Sequence, residues 1–503
     1  MENPRSVDFS SSPSTSYGGA GTLLQSRKSM FQLSPDTTSF TLALILIPVF
    51  IAIYGMISSV IKERLYAGEA IIAMLWGMIL SPYVTSLFNP RGWVTEANFN
   101  YLTLYLTRVV IALSVFAVGV ELPRAYMYRH WRSLLVMLGP VMLAGWLIST
   151  VFIYLLIPPL GFLHSMVVAA ALSPTDPILA ASVVGKGKFA QENVPHHIRD
   201  LLQSESGCND GAAFPFLYFA LFMLLRDSEA INISSSVLGT LGKWSYLIIL
   251  YQIVLGTIIG ALIGITARKT LKFSKKHQLI DRESMVAMYV SLSLFTTGIT
   301  LLAGSDELLA AFACGAAFAW DGWFTQSIQD SNFSSILDLL ANCTIFIFIG
   351  ATTPFDDWNS ETLQITPWRL VLLGLAILTL RRLPSIVLLY KFTPDIRNIQ
   401  EALFCGHFGP MGVGAIFIAT LAKQRLPSPN FPPQTELDYL FLSIQPIVYF
   451  LVMCSILVRC SIITSYKSVS PWNFLTCRIR AFFSFFLDSR TFDPNVFTWK
   501  KPR

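Results

Sequence analysis

Two short stretches of this chain set carboxylates deep inside hydrophobic runs. Ala171-Leu-Ser-Pro-Thr-Asp-Pro177 carries Asp176, and Ser204-Glu-Ser-Gly-Cys-Asn-Asp210 carries Glu205 and Asp210. A charge at the centre of a bilayer-crossing segment costs about 2.5–3.5 kcal/mol on insertion scales, so such residues face a bundle interior and mark ion or proton paths. In the first stretch Pro174 and Pro177 flank a Thr-Asp pair. Proline removes a backbone donor and clashes with the carbonyl four residues back, so the helix is predicted to break there. Freed carbonyls, the Thr175 hydroxyl and the Asp176 carboxylate then converge at mid-membrane depth, as in cation sites built from discontinuous helices. A plain proline kink with a capping aspartate is the competing reading, but a kink does not require a carboxylate at that depth.

In the second stretch, residues four apart share a helical face, which pairs Ser206 with Asp210 and Glu205 with Asn209. Ser206 and Asp210 are therefore predicted to present oxygens together, with Asn209 holding Glu205 in place. Gly207 and Gly211 would let a neighbouring helix approach closely, the broken one foremost. A hard monovalent cation takes oxygen ligands, which carboxylates, hydroxyls and carbonyls supply without a Cys/His cluster. Asp176, Ser206 and Asp210 are the candidate Na+ ligands, with Thr175 and Glu205 completing the cation-binding set. Burial drives carboxylate pKa values toward neutrality in general, which would let one aspartate exchange a proton for a cation.

Gly406-His-Phe-Gly-Pro-Met-Gly-Val-Gly414 is a second Gly/Pro interruption. It falls seven predicted spans after the first. An odd offset inverts orientation, so the two interruptions are expected to be equivalents in an inverted repeat and to cross at the site. His407 could titrate near neutral pH, or simply satisfy backbone carbonyls in a glycine-rich turn. Arg381 and Arg382 stand in an apolar run, where either could neutralise the acidic cluster by pairing with Glu205. Arg108 also lies within a predicted span, where snorkelling to an interface is the alternative to a buried role. Glu69, Glu121 and Asp338 stand nearer span ends and read as structural. No phosphate-binding Gly-x4-Gly-Lys-Ser/Thr loop, His-Glu-x2-His or Gly-x-Ser-x-Gly motif occurs, which argues against an ATP-driven pump or a membrane hydrolase.

Positioning these groups takes long apolar helices, and the composition provides for them. Of 503 residues 53% are hydrophobic and 13% charged, with a mean hydropathy of +0.57. That describes an all-α polytopic membrane protein rather than a soluble globule. Runs of the roughly 20 residues needed to cross the hydrocarbon core are predicted near 39–60, 67–84, 101–122, 131–157, 164–184, 199–225, 241–268, 283–303, 305–321, 334–354, 367–391, 400–422 and 438–465, thirteen in all. Residues 39–465 thus form the transmembrane domain. Residues 1–38 are rich in Ser, Thr, Gly and Pro and are expected to be disordered, and 466–503 form a short tail in which Phe474–Leu487 suits an interfacial helix. The first apolar run is too long for a signal-peptide core, so it is expected to serve as an uncleaved insertion signal. Sixteen Lys and Arg fall in one set of connections, including Arg124, Arg129, Arg132 and the run Arg268–Arg282, against six in the other (Arg91, Arg226, Lys243, Arg369, Lys423 and Arg425). The positive-inside rule makes the first set cytoplasmic, with the N-terminus outside and the C-terminus inside. An Asn232-Ile-Ser234 sequon then lies outside. Cys208, Cys314, Cys343, Cys405 and Cys454 sit in apolar runs without paired spacing and read as small buried hydrophobes, not disulfides or metal ligands.

With these residues in hand, the chain resembles the fungal plasma-membrane sodium/proton antiporters, a branch related to the bacterial NhaP-type exchangers. The resemblance covers roughly residues 65–460. It is carried by Phe116-Ala-Val-Gly-Val-Glu-Leu-Pro123, Ser173-Pro-Thr-Asp-Pro177, Glu205-Ser-Gly-Cys-Asn-Asp-Gly211, Ala311-Phe-Ala-Cys-Gly-Ala-Ala-Phe-Ala-Trp-Asp321, Arg381-Arg-Leu-Pro384 and Gly406-His-Phe-Gly-Pro-Met-Gly-Val-Gly-Ala415. It implies a sodium/proton antiporter fold of thirteen helices, a homodimer, and a mobile core domain that carries ions in an elevator-like movement against a dimerisation domain. It makes Asp210 the ion and proton carrier, places the family's Thr-Asp on Thr175 and Asp176 and its Glu-Ser on Glu205 and Ser206, and assigns the family arginine to Arg382, with Arg381 as the other candidate. Asn209 in place of a second aspartate implies electroneutral one-for-one exchange. Two departures stand out: the short C-terminal tail, which places the chain nearer the short-tailed members, and the N-terminal extension of 38 residues.

The expectation is a plasma-membrane antiporter that exports Na+ or Li+, with K+ as a further candidate, against protons. It needs no cofactor, has no nucleic-acid partner and is not an enzyme. A cation channel on the same acids and a non-transporting sensor with a transporter fold are the alternatives.

Overall fold

The computed structural model describes residues 39–61, 68–184, 194–226, 236–327 and 333–466. Expectations placed on residues 1–38, on Lys62, Arg64, Lys186 and Lys188, on the Asn232 sequon and on the chain after 466 lie outside the described residues. Within them regular structure is helical apart from one isolated bridge, Ser360 with Ile365. The order is α1 (Ser39–Val60), α2 (Glu69–Leu80), α3 (Glu96–Glu121), α4 (Trp131–Leu156), α5 (Phe162–Ala171), α6 (Pro177–Val184), α7 (His196–Leu224) and α8 (Val237–Lys276). There follow α9 (Arg282–Leu302), α10 (Glu307–Phe318), α11 (Phe333–Ala351), α12 (Pro367–Phe392), α13 (Ile399–His407), α14 (Val413–Arg425) and α15 (Glu436–Tyr466). Among the described residues eight helices are long and apolar enough to cross a membrane, and four shorter apolar ones lie between them.

The predicted spans coincide with these elements to within about five residues, except at α8, which runs to Lys276 instead of ending at 268. Its last two turns are cationic and leave the apolar zone still helical. The apolar windows of α3 and α15 are 83% buried and those of α1 and α8 only 17% and 22%, so the first pair lies at the centre and the second on the rim.

Two layers share the site. In one, α2, α3 and α8–α11 close on each other through glycines. A Cβ on Gly256 of α8 would lie 2.8 Å from the Asp306 carbonyl, and on Gly260 and Gly264 it would overlap the carbonyls of Ala310 and Cys314. Gly119 of α3 and Gly315 of α10 meet each other's helices in the same way, as do Gly77 of α2 and Gly350 of α11. Helices in lipid associate by such close packing, since hydrocarbon offers no hydrophobic drive between them. In the other layer, α4–α7 pack with α12–α15, and the two layers meet where α3 and α10 lie against α7 and α14.

Candidate cation site

Both predicted interruptions are present, and they meet. α5 stops at Ala171, where Ser173 Oγ donates back to the Ala169 carbonyl at 3.0 Å, and α6 begins only at Pro177. α13 stops at His407 and α14 begins at Val413. Asp176 ties the two breaks together. Its backbone N–H donates to the Pro410 carbonyl at 2.8 Å, its Oδ1 accepts from Leu179 N at 2.9 Å, and its Oδ2 accepts from Val413 N at 2.5 Å. One carboxylate therefore caps two helices, its own and the one across the crossing, and sits at the positive end of both dipoles. Pro177 fits directly behind it because a first helical residue needs no free N–H. Gly412 packs against this carboxylate, where a Cβ would overlap Oδ2, and Met411 N is held by Ser455 Oγ at 3.0 Å.

Asp210 is placed differently. It is 1% exposed, and among the described residues neither of its oxygens has a hydrogen-bond partner. It lies against Gly414 in the first turn of α14, where a Cβ would overlap Oδ1. Beside it runs a directed chain of hydrogen bonds. Asn209 Nδ2 donates to Thr175 Oγ1 at 2.5 Å, Thr175 Oγ1 donates to Ser206 Oγ at 3.3 Å, and Ser206 Oγ donates to the Thr175 carbonyl at 2.8 Å. This leaves the Asn209 amide oxygen, also buried, without a partner among the described residues.

Two expectations change. Asn209 does not hold Glu205: its amide reaches across to the broken helix at Thr175. Glu205 is held instead by Arg382, whose Nη1 meets Oε1 at 2.6 Å and whose Nη2 meets Oε2, with Nε on the Cys405 carbonyl at 3.1 Å. The bidentate pair ties both Glu205 oxygens to Arg382 and neutralises the carboxylate. Arg381 turns the other way, donating to the Gly409 carbonyl at 2.9 Å. The glycines of α7 receive α10 and α3, not the broken helix: Gly207 meets Phe312 and Val118, and Gly211 meets Asp306 and Leu309. His407 ends α13 half-buried.

Asp306 and Glu307 went unread in the sequence, and Arg108 and Lys423 find their places here. Asp306 caps α10 through Oδ1, which accepts from Leu308 and Leu309 N at 3.0 Å each; its Oδ2 has no partner among the described residues and would lie 2.7 Å from a Cβ on Gly211, next to Asp210. Arg108 does not snorkel: it pairs with buried Glu307 at 2.8 Å and lies over the Phe417 ring of α14 at 5.5 Å. Lys423, expected in a connection, is inside α14 and 7% exposed, with Gln445 Oε1 at 3.0 Å and Glu96 Oε1 at 3.7 Å. The available signals were the unpaired Arg108 in an apolar run and the Ser-Asp-Glu triplet opening the ninth predicted span.

The chain is similar to known proteins. The sequence profile described as the transmembrane sodium/hydrogen exchanger matches residues 31–466. A probable Na+/H+ antiporter of Schizosaccharomyces pombe is 45% identical over 427 residues, covering 83% of this chain and 55% of that protein. A Na+/H+ antiporter of Saccharomyces cerevisiae is 43% identical, covering 82% and 42%. The chain thus spans about half the length of these two relatives. The solved sodium proton antiporter MjNhaP1 of Methanocaldococcus jannaschii superposes with a TM-score of 0.60 at 16% identity over 88% of this chain and all of that one, a likeness of fold.

Proposed function

Because the chain belongs to the sodium/hydrogen exchanger family, we propose that it is a secondary antiporter exchanging cytoplasmic Na+ or Li+, with K+ as a further candidate, for external H+. The observation that carries this reading is the contrast between the two aspartates. Asp176 accepts from two helix N-termini, which fix it in place. Asp210 is enclosed with both oxygens unpartnered among the described residues, and such a group must take up a proton or a cation.

The cation is substrate here. Both Asp210 oxygens, the Asn209 amide oxygen and the Thr175 carbonyl offer it oxygen ligands, and the hydroxyls of Thr175 and Ser206 fix that carbonyl in place. A proton on Asp210 removes the charge that holds the cation, so the two compete for one group. With Glu205 neutralised by Arg382, Asp210 is the one site carboxylate whose charge changes in a cycle, which supports one-for-one electroneutral exchange.

The layer carrying both breaks is the candidate moving part and the glycine-packed layer the candidate scaffold, through which two copies would dimerise. The basic connections face the cytoplasm, and the plasma membrane is the proposed location. Reconstituted protein tests the reading. An imposed Na+ gradient should drive proton movement without current, and Asp210→Asn should abolish it while the variant keeps the wild-type melting temperature. Single-channel currents would select the channel reading instead, and full exchange by Asp210→Asn would remove Asp210 as carrier.

A further inference from the structure

The last nine residues of α8 hold five cations, Arg268, Lys269, Lys272, Lys275 and Lys276, none of them near the crossing of broken helices. They divide by face. Lys272 and Arg268 turn to Asp321, after α10, at 2.6 and 3.8 Å. Lys275 donates to Ser327 Oγ at 3.1 Å and lies over the Trp323 ring at 5.0 Å. Lys269 and Lys276 lie about a quarter-turn round the helix from these. Both are exposed, and among the described residues neither has an acidic side chain within 4 Å.

Seven residues separate these two lysines, so they lie on one face about 10 Å apart along the axis, with Phe273 between them, 59% exposed. Toward the helix start the same stripe continues as Leu262 and Ile258, 58% and 48% exposed, and just beyond the helix Leu279 is 71% exposed. The stripe is thus apolar along the bundle wall and turns cationic and aromatic at its end. Lysines at that level lay their stems along hydrocarbon and lift their ammonium groups into the headgroup layer. A zwitterionic headgroup offers them no net counter-charge, whereas an anionic one does, and clusters of this kind bordering a membrane-crossing helix attract anionic lipids.

We propose that Lys269 and Lys276, with Phe273 between them, form a binding site for the headgroup of an anionic phospholipid on the rim of the glycine-packed layer. The lipid-facing continuity of the stripe through Leu262 favours a bilayer lipid over a soluble acidic partner. The site stands apart from Asp210, so its test does not depend on the antiport reading.

Full-length protein in nanodiscs of phosphatidylcholine, with and without phosphatidylserine, supplies the test. Phosphatidylserine should raise the melting temperature of the wild type by several degrees. Lys269→Gln/Lys276→Gln should lose most of that rise while melting normally in phosphatidylcholine alone, and Lys269→Arg/Lys276→Arg should keep it. Lys391→Gln, an exposed cation elsewhere, should also keep it. Equal rises in the wild type and the glutamine variant would overturn the proposal. So would a rise reproduced by inorganic phosphate without anionic lipid, or one that follows an added acidic peptide alone.

Discussion

A carboxylate that accepts from two helix N-termini is fixed in position, and one that accepts from nothing must change its state. Asp176 and Asp210 are nearly equally buried, at 2% and 1% exposure, so burial does not separate them; their partners do. The same reasoning sets an expectation for Glu205. Removing one partner of a buried ion pair strands a charge and typically costs about 3–5 kcal/mol. Arg382→Ala should therefore lower the melting temperature sharply, and adding Glu205→Gln should restore much of it, as read by thermal unfolding of the two variants. No recovery in the double variant would mean that Arg382 acts mainly through the Cys405 carbonyl. Much of this was legible in the sequence, because prolines around a Thr-Asp pair and carboxylates in apolar runs have few physical explanations. The partner of Asn209, and the choice between Arg381 and Arg382 for Glu205, were not. The two arginines sit at an interruption of α12, between Leu380 and Leu383, and only the placement of α7 and α13 decides which of them reaches Glu205.

Helices were easier to read than their neighbours. Hydropathy alone locates the spans, and it fails at α8 because amphipathic, cationic turns continue a helix after the apolar signal ends. It could not tell that Gly207 and Gly211 receive α10, since a glycine shows that something comes close without showing what. The break before α14 has a sharper consequence. Gly414 offers Asp210 a bare backbone, and a methyl group there would displace the carboxylate. Gly414→Ala should cut exchange severely with a small loss of stability, whereas alanine at Gly298, which has nothing within 4 Å of a Cβ, should leave exchange intact. Flux and melting measurements on both variants check this.

At the level of the assembled bundle, one titrating group shared by two substrates makes a quantitative demand. Where protons outcompete Na+ at Asp210, the apparent KM for Na+ should rise about tenfold for each unit the pH falls, with kcat unchanged, because one proton is linked to each cation. The rate should also be insensitive to membrane potential. A KM slope near two decades per unit would place a second titrating carboxylate in the cycle, and Asp306, with its unpartnered Oδ2 beside Gly211, is where to look. The seam between the two layers bears on how such a cycle could run. At its middle, Arg108 of α3 lies over the face of Phe417 of α14, 5.5 Å away. A cation over a ring has little directional preference and keeps most of its attraction as the ring slides. At one end, Lys423 with Glu96 at 3.7 Å and Gln445 Nε2 with Asn100 Oδ1 at 3.1 Å are directional contacts that sliding would break. The seam has a bearing in its middle and a clasp at one rim, so friction between the layers is concentrated where Lys423 stands.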